Sequence, residues 1–306
     1  MPIPDFQTLM LPLLQFAKDG QTHTLSDARI YLAKYFSLGK EELAEVLPSG
    51  KQRRFDNRVA WARVYLDRAG LLISPKRGSF YITEDGLQFL SKNPKTISIS
   101  VLDSFPKFRS FRETSKNNDN SIGNTALSPE SLPETPEELL EKSFKQIQDE
   151  LAASLLDRLK NCSSAFFEDL VVELLVKMGY GRYRKEAGNS IGKTGDEGID
   201  GIINEDRLGL EVIYIQAKCW KNSTVGRPEI QKFVGALHGK RAKKGVFITT
   251  SAFSDESKAY ISHIDPRVVL IDGWQLAKLM IENNLGVSVK TVMELKRIDT
   301  DFFLEE

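Results

Sequence analysis

The chain has 306 residues, 41% of them hydrophobic, and its 42 basic and 42 acidic side chains cancel. That length suits two domains, the neutral total demands no polyanionic partner, and no apolar run is long enough to cross a membrane. The two cysteines, Cys162 and Cys219, lack CxxC spacing and argue against a disulfide framework or a zinc cluster. They suit a reducing compartment, and the first residues lack the basic start and cleavage site of a signal peptide, so the cytoplasm is the expected location.

Apolar residues at helical spacing predict a helix over Phe6–Phe16, a second over Leu25–Leu38 with Ser26 and Asp27 available as caps, and a third over Arg53–Ala69. The third takes its apolar side from Val59, Ala60, Ala62, Val64, Tyr65 and Leu66, and Gly70 stops it. Leu71–Ser74 and Ser79–Thr83 read as strands joined by a turn at Pro75–Gly78. Three helices and a β-ribbon are the order of a winged helix, expected over residues 1–95. Charge concentrates here: between residues 51 and 77, Lys51, Arg53, Arg54, Arg58, Arg63, Arg68, Lys76 and Arg77 face only Asp56 and Asp67. Lys51, Arg54 and Arg58 recur at steps of three or four and so lie together. With Lys76 and Arg77 at the ribbon tip they form a grip for a DNA backbone, unless the face is simply solvated. Asn57 is the candidate base-edge reader, because an amide can pair bidentately with adenine. Trp61 reads as core.

Residues 96–134 read as a linker. Thr96–Phe111 admits a final strand of the first domain, and residues 112–134 are polar and rich in Asn, Ser and Pro. A helix then begins at Thr135-Pro136-Glu137-Glu138, where Thr135 and Glu138 make a capping box. Leu140, Phe144, Ile147, Leu151 and Leu155 follow at steps of three and four, a stripe for packing or for a subunit interface. Next come a helix over Ala165–Met178, a hairpin within Gly195–Trp220, helices over Pro228–His238, Ser254–Ile264 and Trp274–Glu282, and strands at Gly245–Thr250 and Val268–Ile271. This alternation predicts an α/β domain over 135–306, a mixed sheet flanked by helices.

The hairpin carries the chemistry. Folded about Leu208, it sets Asp200 opposite Gln216, and Lys218 shares the face of Gln216. Ile213, Ile215, Ala217 and Cys219 alternate toward a core. A lysine and a glutamine on a buried-looking strand are costly without partners, and Asp200 is the nearest carboxylate. Phosphodiester hydrolysis needs a hard cation, an activated water and stabilisation of the leaving oxygen. Asp200 would bind Mg²⁺ directly, with Mn²⁺ able to substitute. Either the Ala217 carbonyl or the Gln216 amide oxygen would be a second ligand, and Lys218 would orient the water or stabilise phosphoryl charge.

These residues resemble the PD-(D/E)xK nuclease core, in the G-[I/V]-D…Q-x-K variant of Mrr-type restriction endonucleases. F-E-D-L-V-V-E-L-L-V-K-M-G-Y (Phe167–Tyr180) is similar to that family's opening helix. G-D-E-G-I-D-G (Gly195–Gly201), Y-I-Q-A-K-C-W (Tyr214–Trp220), V-G-R-P-E-I-Q (Val225–Gln231) and G-V-F-I-T-T-S (Gly245–Ser251) resemble its later motifs. N-R-V-A-W-A-R-V-Y-L-D-R-A-G-L-L (Asn57–Leu72) resembles the family's N-terminal winged helix. The resemblance implies a restriction-endonuclease-like core and a type IV-like enzyme that cleaves methylated foreign duplex DNA with Mg²⁺. It adds Glu168 to the metal site and places Asp196 in the acidic loop. Gln216 departs from the acid usual in the wider superfamily.

The residues alone admit other readings. Glu168 could be a first-turn carboxylate favoured by the helix dipole, and Asp196 an Asx-turn residue. Ala187–Thr194 matches a relaxed phosphate-loop pattern but has neither the strand before it nor the helix after it. It reads instead as a loop whose Lys193 could touch a phosphate. His23, His238 and His263 show no metal-ligand spacing. At the level of function, a DNA-binding regulator with a silent nuclease fold and a structure-specific repair nuclease stand beside the restriction enzyme.

Overall fold

The computed structural model describes residues 2–76, 78–117, 134–181, 198–205, 211–221, 223–296 and 298. Arg77, the linker stretch 118–133, Lys193, Asp196 and the hairpin turn at Leu208 lie outside the described residues. The chain divides into two compact units, Met1–Lys145 with Leu295–Glu306, and Gln146–Glu294. No described helix is long and apolar enough to cross a membrane.

In the first unit, α1 (Phe6–Phe16), α2 (Leu25–Tyr35), α3 (Lys40–Ala44) and α4 (Arg54–Arg68) surround one core. Asp5 caps α1 by accepting from the Gln7 and Thr8 amides at 2.8 and 3.0 Å. The cap of α2 is Thr24, one step before the expected start, and Asp27 closes its capping box. Phe6, Leu9, Met10 and Leu13 on α1 meet Phe55, Val59, Ala62 and Leu66 on α4, the i, i+3, i+4 pattern of two apolar helix faces. The strands β1 (His23–Thr24), β2 (Leu72–Ile73) and β3 (Ser79–Ile82) form an antiparallel sheet of order β1-β3-β2. The expected helices and ribbon are therefore present, with β1 and α3 added. The chain then continues through α5 (Glu84–Ser91), α6 (Ile99–Leu102) and α7 (Pro106–Asn117). The final strand allowed for Thr96–Phe111 is not formed. Ile99, Leu102 and Phe108 instead recur at helical spacing and bury in the same core.

α8 (Pro136–Lys160) starts with the expected capping box: Glu138 N–H donates to Thr135 Oγ1 at 3.1 Å, and Thr135 N–H to Glu138 Oε2 at 2.8 Å. Its stripe is split. Ala152, Leu155 and Leu159 are buried, whereas Leu140, Phe144, Ile147 and Leu151 are exposed.

The second unit is a four-stranded mixed sheet, β4 (Gly201–Asn204), β5 (Val212–Lys218), β6 (Lys244–Thr249) and β7 (Arg267–Ile271), in that order. β4 and β5 are antiparallel, and β5–β6 and β6–β7 parallel. One face packs on the end of α8, on α9 (Ser164–Lys177) and on α12 (Gly273–Glu282), through residues such as Leu155, Phe167, Ile215, Ala217 and Met280. The other face packs on α10 (Arg227–Gly239) and α11 (Asp255–Ile261), through Ile230, Phe233, Phe247 and Phe253. α10 lies so close to β6 that a Cβ at Gly245 would come within 2.8 Å of the Phe233 ring. Helices on both faces explain why β6 is buried beyond its first residue and why no residue of β5 is fully exposed.

Candidate active site

The register places Gly201 opposite Ile215, so Asp200, one residue before β4, sits beside Gln216. Asp200 N–H donates to the Ile215 carbonyl at 2.8 Å and carries the pairing one step past the strand. Gly198 turns the chain just ahead with φ +95°, and a Cβ there would press on Gln216 Oε1 at 3.2 Å. The Asp200 carboxylate is held from β5. Its Oδ2 accepts from the Ala217 N–H at 2.8 Å and from the Gln216 side-chain amide. Gln216 is 2% exposed, so that bond satisfies an otherwise costly buried amide. Lys218 ends β5, and its carbonyl accepts from Thr249 Oγ1 at 2.9 Å and from Thr250 N–H at 3.2 Å, which ties the strand end to β6.

Glu168 projects from α9. That helix begins at Ser164, capped by Ser163, so Glu168 falls in the second turn, beyond the strong part of the helix dipole. Its surroundings are electrostatic instead. Burial pushes its carboxyl above the usual carboxylate range, the charges of Asp200 and Asp169 push it further, and Lys218 opposes them. Asp200 is likewise raised by burial, with the Ala217 N–H and Lys218 pulling it back. The structure thus brings Glu168, Asp200, Gln216, Ala217 and Lys218 together. Among the described residues no three His, Cys, Asp or Glu side chains gather as a ready metal cage. The site offers two hard oxygen donors under like-charge tension beside a cation. That set fits a divalent ion that keeps several of its own waters.

Two more side chains converge there that the sequence reading did not single out. A cavity of about 480 Å³ is lined by Gly198, Gln216 and Lys218 from the sheet side and by Glu229 and Lys232 from α10. Only their i, i+3 spacing on a helix after the Q-x-K strand hinted at them.

The basic helix does not match the expected DNA grip. Lys51 and Lys76 are exposed, as a phosphate contact requires. Asn57, the expected base reader, is fully buried: Thr135 Oγ1 donates to its Oδ1 at 2.6 Å, and its amide donates to Gln52 and Glu137. Arg58 is only 11% exposed, pairs with Glu138 at 3.0 Å, and donates to the Ile3 carbonyl at 2.7 Å. Arg54 pairs with Glu45 at 2.5 Å and with Glu138 at 3.4 Å. In this conformation these three residues are consumed by the start of α8, because an amide and a guanidinium buried without partners would be too costly.

Comparison with known proteins gives the family. Residues 159–280 match the model of a restriction endonuclease domain, and residues 6–92 that of the Mrr N-terminal domain. The type IV methyl-directed restriction enzyme EcoKMrr of Escherichia coli (strain K12) is 35% identical over 308 residues, covering 99% of this chain and 100% of that one. Among solved structures, the DNA modification-dependent restriction endonuclease AspBHI aligns at TM-score 0.36 and 17% identity, over 68% of this chain and 52% of its own. The MspJI restriction endonuclease in complex with a 27-mer oligonucleotide aligns at 0.27 and 17%, over 66% and 47%. The chain therefore spans about half of either of those structures. Matched along its whole length to a relative that shares both of its domains, the chain belongs to the Mrr family of restriction endonucleases and is a DNA endonuclease.

Proposed function

We propose that the protein cleaves methylated foreign duplex DNA in a Mg²⁺-dependent reaction, as a restriction defence. Restriction-endonuclease-like domains generally work with divalent metal ions. The observation that carries the reading is the convergence of Asp200, held from β5 by the Ala217 N–H at 2.8 Å, with Glu168 and with Lys218 at the end of that strand. A divalent ion bound there supplies charge neutralisation and a water of lowered pKa. Asp200 and Glu168 would hold it, the Ala217 N–H and Gln216 amide keep Asp200 aimed, and Lys218 would offer its ammonium to the attacked phosphate. The methylated substrate is read from the name of the full-length relative, a methyl-directed enzyme.

The test is a plasmid assay with methylated and unmethylated DNA, with and without Mg²⁺. Nicking only of methylated plasmid, and only with metal, is the expected result. Asp200→Ala and Lys218→Ala should each abolish cleavage and leave duplex binding in place. Full activity in either variant removes the assignment, and equal cutting of unmethylated plasmid removes the substrate. We further infer that two copies act together, since cutting both strands takes two such sites.

A further inference from the structure

The cavity beside Lys218 is larger than a metal site needs, and one of its walls is a helix. α10 buries Ile230, Phe233, Val234 and Leu237 against the sheet and turns Glu229, Lys232, Gly235 and Ala236 toward the cavity. The Phe233 and Phe247 rings, edge to face at 5.6 Å, are fully buried and make a rigid apolar wall. Lys232 is 71% exposed, and its ammonium lies 3.0 Å from Glu229, which leaves other donors of that ammonium directed outward. One turn further, a Cβ on Gly235 would meet nothing within 4 Å. The helix therefore does not need a glycine for its own packing, and glycine costs a helix interior up to about 1 kcal/mol relative to alanine. A residue that packing does not require, and that helix propensity disfavours, leaves free space beside a catalytic lysine.

We propose that this groove between α10 and β5 seats the sugar-phosphate backbone of the scissile strand next to the cut. Lys232, steadied by Glu229, binds the phosphate neighbouring the scissile one, and Gly235 leaves room for the deoxyribose to approach the helix. This assignment rests on the nuclease reading, and it makes Lys232 a binding residue and Gly235 a steric one. Lys218 and Lys232 then supply positive charge from the strand and from the helix to one continuous stretch of backbone.

The experiment compares the full chain with Lys232→Ala, Lys232→Arg, Gly235→Ala and Gly235→Leu. Thermal melting confirms folding; the open space at Gly235 and the helix preference for alanine and leucine over glycine predict melting at or above wild type for both of its variants. Cleavage of methylated plasmid with Mg²⁺ is read alongside binding of a fluorescent methylated duplex with Ca²⁺. Lys232→Ala should raise KM with kcat nearly unchanged and lower the slope of log affinity against log salt by about one, and Lys232→Arg should restore both. Gly235→Leu should fill the groove and cut cleavage by roughly 100-fold, with Gly235→Ala falling between it and wild type. Wild-type cleavage by a folded Gly235→Leu, or an unchanged salt slope in Lys232→Ala, overturns the groove and leaves the nuclease reading standing. If the unaltered protein cuts nothing, the nuclease reading fails, and the binding measurements decide the groove alone.

Discussion

An amide at position 216 changes what the carboxylate beside it can do. An acid there would add a second negative charge against Asp200 Oδ2, whereas Gln216 donates a hydrogen bond to it. Burial raises both Asp200 and Glu168, the charge of Asp200 adds to the shift of Glu168, and this sets a pH dependence. Both folded-state pKa values stand above their ordinary ones, so the stability these groups contribute is complete below the ordinary carboxylate range. It is lost as pH rises through the raised values. Metal-free wild type should therefore lose melting temperature relative to Glu168→Gln as pH rises from acid toward neutral, and Mg²⁺ should restore it most at neutral pH. Glu168→Gln should flatten that profile in EDTA. A wild-type profile that runs parallel to that of Glu168→Gln would show that folding does not raise Glu168. The sequence showed Asp200, Gln216 and Lys218 because a hairpin register is arithmetic once its turn is placed. It could not show Glu229 and Lys232, since which face of a helix meets a cavity depends on how α10 lies on the sheet.

At the scale of elements, the junction of α4 and α8 decides the fate of the basic patch. Glu138, 6% exposed, joins Arg58 and Arg54, and Ser49 donates through its N–H and Oγ to Glu141 at 2.9 and 2.8 Å. Glu138→Ala would leave Arg58 buried without its carboxylate. It should destabilise the first unit by about 3–5 kcal/mol, read by urea denaturation. A loss under about 1 kcal/mol would mean that the pair is dispensable. Lys51, exposed at the start of the same region, should behave differently. Lys51→Ala should leave stability intact and lower the salt dependence of DNA binding by about one phosphate contact. An unchanged salt dependence would remove Lys51 from the DNA surface. The capping box of α8 and the basic spacing of α4 were both legible, but their meeting was not. Asn57 and Thr135 are 78 residues apart, and no local pattern says that one caps a helix against the other.

At the scale of the molecule, α8 leaves Leu140, Phe144, Ile147 and Leu151 exposed at steps of four, three and four, the spacing of a coiled-coil seam. A second copy pairing along that seam is the simplest route to two sites for two strands. Phe144→Ser with Ile147→Ser should give a monomer in light scattering, still folded but unable to linearise plasmid. A double variant that keeps the wild-type mass would place the pairing elsewhere. The alternating sheet-and-helix order, the mixed sheet and the hairpin register were determined by the sequence itself, because hydrophobic period, caps and turns act over a few residues. Even the reading of the cysteines as free thiols was available, although not that both donate to the Leu159 carbonyl, at 2.9 and 3.4 Å. Only the tertiary structure decided which charges are spent on the protein and which remain for a ligand. Arg58 and Asn57 went inward to Glu138 and Thr135, while Glu168 came within the electrostatic reach of Asp200. The physical reason is desolvation: a polar group acquires its partner from whatever packing brings within hydrogen-bond reach, and that partner can come from anywhere in the chain.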